Sequence, residues 1–346
     1  MSMRPVATIR WGIIGCGNVT EVKSGPALSS VPGSSLVAVM RRDAALAQDY
    51  ARRHGVARWH GDAQALVDDP GVDAVYVATP PSSHCRYACM AMRAGKPVYV
   101  EKPMALDAAE CEEMLCVSHD TGVPLFVAYY RRALPRFLRV RDLLADGAVG
   151  VPQSVAVRFA RDLQPAYRDP DKLPWRVRPE VSGGGLFVDL GSHTLDILDF
   201  LLGPLQDVRG DAGNRAGAYP AEDWVSMAFT CGDGVRGSGE WDFNADAQRD
   251  EIEIVGDRGR LAFATFGDDP ILHEGDAGRH EHRAANPLHI QQPLIETIVG
   301  ELRGEGRCPS TGISAARTTR VIDQVLAGYR EGMRNTASTG PSGGVM

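Results

Sequence analysis

Five short apolar segments, separated by stretches with helical periodicity, fill the first 130 residues of the chain. The segments lie at residues 8–15, 36–40, 74–78, 97–100 and 124–128. Residues 44–54 and 83–94 between them have helical patterns, and a glycine followed two residues later by proline precedes the last two segments. Short strands that are apolar on both faces alternate with helices in doubly wound proteins, because helices cover both faces of a parallel sheet. We therefore predict an α/β domain at the start of the chain.

The pattern changes after about residue 130. Strand patterns at 224–230 and 235–243 flank one glycine turn, and those at 251–255 and 260–266 flank another. Tight glycine turns between strands indicate antiparallel hairpins. One more strand is predicted at 153–159, and helices are predicted at 134–146, 186–202, 288–303 and 313–333. The second part of the chain is therefore predicted to be an α+β domain with an open sheet.

Length and composition exclude several classes of protein. At roughly 100–200 residues a domain, 346 residues suggest two domains. No run approaches the roughly 18 apolar residues of a membrane span, and the net charge of −7 disfavours nucleic-acid binding through a broad basic surface. The first ten residues lack the apolar core of a secretory signal. We therefore expect a cytoplasmic protein with neither nucleic acid nor membrane as a partner.

The seven cysteines are odd in number, and no two of them form a CxxC pair. Cys85 and Cys89 lie four residues apart, and Cys111 and Cys116 five apart, within predicted helices. These spacings favour small buried side chains in a reducing compartment over zinc ligands or disulfides. No metal site is predicted.

A glycine-rich turn follows the first strand, with the sequence Gly15-Cys16-Gly17-Asn18-Val19-Thr20. In dinucleotide-binding folds the first glycine allows a tight turn and the second lets the backbone approach a pyrophosphate, which the amides at the next helix N-terminus bind. A third small residue normally permits close helix packing, and Thr20 stands there. The strand–turn–helix context predicts a dinucleotide site at Gly15, Gly17, Asn18 and Val19.

The second strand ends in Met40-Arg41-Arg42-Asp43. Sites that prefer NAD usually have an acidic residue there for the ribose hydroxyl, whereas arginine pairs with the 2′-phosphate of NADP. Arg41 and Arg42 therefore favour NADP, with NAD as the other cofactor if the strand ends later and Asp43 serves the hydroxyl. The alternative is that the two arginines are solvated surface charges.

Two further elements carry side chains suited to proton handling. Lys102, in Glu101-Lys102-Pro103, follows the fourth strand, and ligands of open parallel sheets bind beyond the carboxyl ends of strands. In the run 183–196, a helix from about Gly185 would place Asp189 and His193 four residues apart on one face. A surface lysine and a satisfied core histidine remain alternatives, and a metal pair would lack a third ligand at a suitable spacing.

Gly15-Cys16-Gly17, Glu101-Lys102-Pro103 and the run 183–196 together resemble, in order and spacing, the signature elements of the Gfo/Idh/MocA oxidoreductases. The resemblance covers residues 7 to about 333. It implies a Rossmann dinucleotide-binding domain followed by a substrate-binding and oligomerisation domain. The change of pattern near residue 130 divides these at 1–129 and 130–346, and the Gly/Ser-rich residues 337–346 are predicted to be a disordered tail. The resemblance also implies a mostly antiparallel second sheet that forms a homodimer or homotetramer interface.

The resemblance also assigns site residues. It implies that Lys102, Asp189 and His193 are catalytic. It places Thr79 and Pro80, together with Glu101 and Lys102, beside the cofactor, while His84 would be a structural hydrogen-bonding residue. It also implies that seven residues bind the substrate: Lys102, Tyr130, Arg131, Trp175, Arg176, Asp189 and His193. The arginines of residues 130–141 otherwise predict a solvated helix face, with phosphate binding as the alternative.

The activity implied is hydride transfer between NADP(H) or NAD(H) and a CH–OH or C=O group of a sugar, polyol, cyclitol or cyclic diol. His193 would exchange the hydroxyl proton and Lys102 would stabilise charge on the oxygen. Asp189 would orient substrate hydroxyls and balance the charge of Lys102. Two other functions stay open: an NAD-dependent glycosidase with transient redox chemistry, and a dinucleotide-sensing regulator without catalysis.

Overall fold

A computed structural model describes residues 8–276 and 278–338. The predicted tail at 337–346 lies almost wholly outside the described residues. In chain order the strands are β1 Ile9–Ile14, β2 Ser34–Met40, β3 Arg58–His60, β4 Ala74–Val77, β5 Val98–Val100, β6 Leu125–Val127, β7 Pro152–Ala160, β8 Leu205–Gly213, β9 Trp224–Cys231, β10 Val235–Asp242, β11 Arg249–Gly256, β12 Gly259–Phe263, β13 Ile271–Gly275 and β14 Gly278–His282. The helices are α1 Asn18–Val22, α2 Gly25–Ser30, α3 Ala44–His54, α4 Ala63–Val67, α5 His84–Arg93, α6 Ala108–Thr121, α7 Pro135–Ala145, α8 Pro179–Ser182, α9 Ser192–Leu202, α10 Gln292–Arg303 and α11 Gly312–Ser338.

The chain forms two compact units. The first holds the described residues through Ala145 with Val181–Gly183 and Arg283–Thr319; the second holds Asp146–Glu180, Gly184–His282 and the described residues from Arg320. Within the described ranges no helix is both long and apolar enough to cross a lipid bilayer.

The first unit is built on a parallel six-stranded sheet with the order β3-β2-β1-β4-β5-β6. Trp11, Tyr76 and Tyr99 are fully buried on one face of this sheet, and Val75 and Val98 on the other. Both faces are covered, which is why the strands read as continuous apolar runs. The strand order reverses between β1 and β4, and ligands of such sheets bind beyond the strand ends at that point.

The second unit is built on an eight-stranded sheet with the order β14-β13-β12-β11-β7-β10-β9-β8. Its neighbouring strands run antiparallel except for β7 and β10, which are parallel. Val155, Val157 and Phe159 alternate with more exposed residues along β7, so one face of the sheet is buried. The predicted fold class, a doubly wound parallel sheet followed by a mostly antiparallel one, is confirmed.

One predicted helix differs in its geometry. The pattern at 186–202 predicts a continuous α-helix, but Phe187–Gly191 form a π-helical turn before α9 begins at Ser192. Asp189 lies in the wider turn and His193 in the α-helix, so their spacing is not that of two residues on one α-helical face. Such single π turns are frequent at functional sites.

Candidate active site

The glycine turn joins β1 to α1 at the point where the strand order reverses. Gly15 has φ +91°, and a Cβ there would lie 2.5 Å from Cγ2 of Thr79, so conformation and space both require glycine. The amides of Gly15 and Cys16 donate to the carbonyl of Met40 at 2.9 and 3.2 Å. A Cβ on Gly17 would meet no such neighbour nearer than 3.9 Å, which leaves its backbone open to an approaching group.

Thr20 does not disturb the packing of α1. It is fully buried, and its hydroxyl donates to the Gly17 carbonyl at 2.8 Å while accepting from the Gly17 amide at 2.9 Å. The Tyr50 hydroxyl donates to the Thr20 carbonyl at 2.8 Å. Because Thr20 occupies the Gly17 amide, the amides of Asn18 and Val19 are the ones without an acceptor inside the helix. These two groups fit an anion at this turn.

The residues after β2 separate into two roles. Asp43 is the N-cap of α3, and its Oδ1 accepts from the amides of Ala45 and Leu46 at 3.0 and 3.2 Å. Arg41 and Arg42 are exposed, and among the described residues they form no ion pair. Burial raises the pKa of Cys16 to about 11, against the opposing charge of Arg41. Arg41 therefore lies close enough to the glycine turn for its charge to act there.

Glu101 is fixed by a buried network beneath Lys102. Its Oε1 accepts from the Tyr76 hydroxyl at 2.6 Å and the Gln291 amide at 2.7 Å, and its Oε2 accepts from the Lys102 backbone amide at 3.2 Å. The Tyr99 hydroxyl donates to Gln291 at 2.7 Å. A buried carboxylate needs several donors, and here they fix the backbone at Lys102. Glu101 therefore supports Lys102, and its predicted cofactor contact stays a prediction.

His84 connects the two loops that follow β4 and β5. Its ring nitrogens face the carbonyl oxygens of Thr79 at 2.7 Å and Pro103 at 3.0 Å. The ring is fully buried, and burial lowers its pKa. These contacts give it the structural hydrogen-bonding role expected from the sequence. Pro80 is exposed next to Thr79, whose hydroxyl accepts from Ser83 at 2.8 Å.

In the second unit, three residues predicted on the substrate side lie together. Asp189 is 9% exposed, and its Oδ2 lies 3.3 Å from Nε of Arg176. The Arg176 guanidinium lies 4.5 Å from the ring centre of Trp175, in the geometry of a cation–π contact. Burial raises the pKa of Tyr167, and the charge of nearby Asp189 acts in the same direction. No sequence pattern pointed to Tyr167.

His193 is 4% exposed at the start of α9. Its ring and that of Phe266 pack edge to face, with 5.8 Å between the ring centres. The preceding π turn is packed around Gly191, since a Cβ there would lie 2.5 Å from the Phe187 ring. Phe187 in turn meets Trp241 edge-on at 5.0 Å. Aromatic packing on both sides therefore sets the orientation of this segment.

The arginine-rich segment at 130–141 is largely buried, so the expected solvated face is wrong for most of it. Arg131, Arg132 and Arg136 are only about 5% exposed. The guanidinium of Arg131 lies 5.0 Å from the ring centre of Tyr130, and Nη1 of Arg132 donates to the Pro309 carbonyl at 3.3 Å. The pattern misled because Arg131 and Arg132 lie in a 3₁₀ turn, Tyr130–Ala133, rather than on a solvated helix, and both are buried there.

Glu222 is a candidate residue that sequence reasoning missed. It is 1% exposed, and its Oε1 accepts from the amide of Gly185 at 2.8 Å, at the start of the segment that carries Asp189 and His193. Burial raises its pKa to about 7. A carboxylate here anchors the π turn from a strand-to-strand connection that is distant in the sequence, so no local pattern could reveal it.

Residues 9–129 match the oxidoreductase family model described as an NAD-binding Rossmann fold, and residues 137–262 match the Gfo/Idh/MocA C-terminal domain. The chain belongs to the Gfo/Idh/MocA oxidoreductase family. The resemblance predicted from the three sequence elements is thus confirmed, as is the prediction of an oxidoreductase with a Rossmann dinucleotide-binding domain, whereas the preference for NADP stays a prediction.

Several oxidoreductases are similar to this chain. The chain is 38% identical to an oxidoreductase of Formosa agariphila over 91% of its own length and 97% of the relative's. It is 32% identical to the mouse trans-1,2-dihydrobenzene-1,2-diol dehydrogenase, over 66% of this chain and 67% of that protein. A levoglucosan dehydrogenase, solved with NADH and levoglucosan, has the same fold, with a TM-score of 0.84, 21% identity, and coverage of 94% and 97% of the two chains.

We expect Glu222→Gln to flatten the pH dependence of stability in this Gfo/Idh/MocA protein. The carboxyl keeps its proton up to a pH of about 7 in the folded protein but only up to about 4.5 once the chain unfolds. Its contribution to stability is therefore present below pH 4.5 and is lost as the pH rises to about 7. Glutamine keeps the acceptor for Gly185 without the charge. As the pH rises from about 4.5 to about 7, the free energy of unfolding of the variant should therefore increase by about 3 kcal/mol relative to that of wild type.

Denaturant unfolding at a series of pH values measures this difference. Glu296→Gln, which removes an exposed carboxylate on α10, is the matched control and should leave the slope unchanged. Parallel profiles for Glu222→Gln and wild type would contradict the raised pKa of Glu222 in the folded protein.

Proposed function

We propose that this oxidoreductase transfers hydride between a nicotinamide dinucleotide and a CH–OH or C=O group of a polyhydroxylated substrate: a sugar, polyol, cyclitol or cyclic diol. The observation that carries the proposal is Asp189, a nearly buried carboxylate 3.3 Å from Arg176, whose guanidinium in turn packs on the Trp175 ring. A carboxylate accepts hydrogen bonds from hydroxyls, and an aromatic face packs on a sugar or diol ring. The relatives named for diol and levoglucosan chemistry support this substrate class.

The residues of the glycine turn fit the dinucleotide. Gly17 leaves room for a pyrophosphate, and the amides of Asn18 and Val19 supply donors to it. When bound, the nicotinamide supplies the hydride acceptor or donor, and the protein orients the substrate and handles the proton. Thr79, Pro80 and Glu101 are proposed to lie on the cofactor side. In this proposal residues 1–129 bind the dinucleotide and residues 130–346 bind the substrate.

Three side chains are proposed to act on the substrate. His193 accepts the hydroxyl proton during oxidation and returns it during reduction, since imidazole exchanges protons near neutral pH. The ammonium of Lys102 stabilises the negative charge that develops on the substrate oxygen. Asp189 accepts hydrogen bonds from substrate hydroxyls. The other residues proposed on the substrate side are Tyr130, Arg131, Trp175 and Arg176.

NADP is the proposed preferred cofactor. Arg41 and Arg42 are exposed beyond β2, while Asp43 caps α3. We expect the double variant Arg41→Ala, Arg42→Ala to weaken NADP binding roughly 10–100-fold, because the charge-assisted pairs of these exposed, solvent-screened arginines with phosphate contribute about 1.5–3 kcal/mol together. The affinity for NAD should change about twofold or less, since NAD lacks the 2′-phosphate.

Fluorescence titration with both dinucleotides measures the two affinities. Arg52→Ala, which removes an exposed arginine from α3, is the control and should leave both unchanged. If the double variant lost affinity for NAD and NADP equally, or if the wild-type protein preferred NAD, the proposed role of the two arginines would be wrong.

Two further features belong to the proposal. The more exposed face of the eight-stranded sheet is proposed to form a homodimer or homotetramer interface, as the family resemblance implies. A cytoplasmic location is also proposed, as the cysteine spacing in the sequence predicts.

A panel of sugars, polyols, cyclitols and cyclic diols, assayed with NADP and with NAD, tests the function. The expected result is one reduced nicotinamide for each carbonyl formed. Glycan release without net cofactor reduction would instead indicate a glycosidase, and dinucleotide binding without turnover would indicate a sensor.

A further inference from the structure

We propose that Cys85 and Cys89 of α5 and Glu113 of α6 form a binding site for a thiophilic divalent cation, zinc in the first instance. The two sulfurs and a carboxylate oxygen of Glu113 all lie within 4.8 Å of one another. Within residues 8–276 and 278–338, no other three His, Cys, Asp or Glu side chains bring their ligand atoms so close together. This inference is independent of the proposed function.

The distances are close to those that a bound ion requires. The two Sγ atoms are 4.0 Å apart. With zinc–sulfur bonds of about 2.3 Å and tetrahedral angles, two thiolates on one zinc lie about 3.8 Å apart. A pair four residues apart on a helix presents both ligands on one face, and α6 supplies the third ligand from the neighbouring helix. Small side-chain rotations would therefore complete the site.

The surroundings also suit a cation. Cys85 and Cys89 are 7% and 1% exposed, so the sulfurs are shielded from water, whereas the Glu113 side chain is 57% exposed and gives access from solvent. Two thiolates and a carboxylate around a divalent ion leave one negative charge, and Arg93, whose Nη2 lies 3.6 Å from Glu113, offsets it.

Binding is a proton-for-metal exchange without electron transfer. Each thiol releases its proton to the buffer as its sulfur–metal bond forms. Three protein ligands leave the fourth tetrahedral position to water. The ion would join α5 to α6, and α5 begins at His84, which connects the Thr79 and Pro103 loops. The sequence did not predict this site, because its third ligand comes from a different helix.

The test is metal titration of the reduced, metal-free full-length chain. Calorimetry with zinc should show one equivalent bound with proton release, and cadmium should produce the ultraviolet absorption of cadmium–thiolate bonds. Cys85→Ser and Cys89→Ser should each weaken binding roughly a hundredfold or more, since even outer-shell changes cost about 10–100-fold. Glu113→Gln should weaken it about tenfold without affecting the fold, because the side chain is largely exposed.

Cys116→Ser is the matched control, since it removes the exposed cysteine of α6 that lies outside the group. It should change neither the stoichiometry nor the cadmium absorption. The proposal is overturned if wild type shows no thiolate absorption with cadmium, or if Glu113→Gln, with wild-type thermal stability, binds zinc as tightly as wild type. An equal affinity for zinc in Cys89→Ser and wild type would also overturn the proposal.

Discussion

Replacing Lys102 by methionine should lower kcat by about 10²–10³ and leave dinucleotide affinity nearly unchanged. Methionine keeps a long unbranched stem but removes the ammonium, and with it the donor proposed to stabilise charge on the substrate oxygen. Removing one such donor from an active site costs about 10²–10³ in rate. The backbone at this position should stay in place, because Glu101 holds the Lys102 amide and is itself held by Tyr76 and Gln291.

Steady-state kinetics and dinucleotide titration together separate the two effects. Lys172→Met is the control, because this lysine is 83% exposed and its ion pair with Asp169, at 3.7 Å, is on the surface. Wild-type kcat in Lys102→Met would contradict the role given to the ammonium. A loss of dinucleotide affinity equal to the loss of kcat would instead mean that Lys102 serves only the predicted contact with the cofactor.

The second large effect is expected for His193→Ala. General acid–base catalysis contributes about 10²–10⁴-fold, so kcat should fall by that factor when the imidazole is removed. The limb of the pH–rate profile that reflects deprotonation of the base should disappear with it. Phe266 and the π turn hold the surrounding helix, so the loss should be chemical rather than structural.

The pH–rate profiles of wild type and His193→Ala measure this prediction, and circular dichroism checks the fold. His119→Ala is the control: its side chain is 90% exposed near the end of α6, and its removal should leave the profile unchanged. An unaltered profile in His193→Ala would assign the proton to another group.

The sequence was sufficient for features that depend on local patterns. Both faces of the first sheet are buried, so β1, β2, β4, β5 and β6 appear as apolar runs, and the turn at Gly15 follows from its position after β1. The hairpin of β9 and β10 was visible from the glycine turn between them. By contrast, β8 and β14 were not predicted, because these edge strands are largely polar and exposed.

What the sequence could not show depends on partners distant in the chain. Gln291 reaches Glu101, Glu222 reaches Gly185, and neither pair is linked by a repeating pattern. Helical periodicity cannot reveal one inserted residue, so the pattern predicts α-helix where Phe187–Gly191 form a π turn. The sequence predicts that Arg131, Arg132 and Arg136 are solvated, but they are buried. The charge of a side chain does not reveal which other residues pack over it.

Hydride transfer itself is tested most directly with an isotope. The substrate identified by the panel is prepared with deuterium on the carbon that bears the reacting hydroxyl, and the reduced cofactor is recovered and examined by mass spectrometry and NMR. We expect one deuterium on C4 of the nicotinamide and a carbonyl in the product. Reduced cofactor without deuterium, or a converted substrate with no reduced cofactor released, would contradict the assignment as a dehydrogenase.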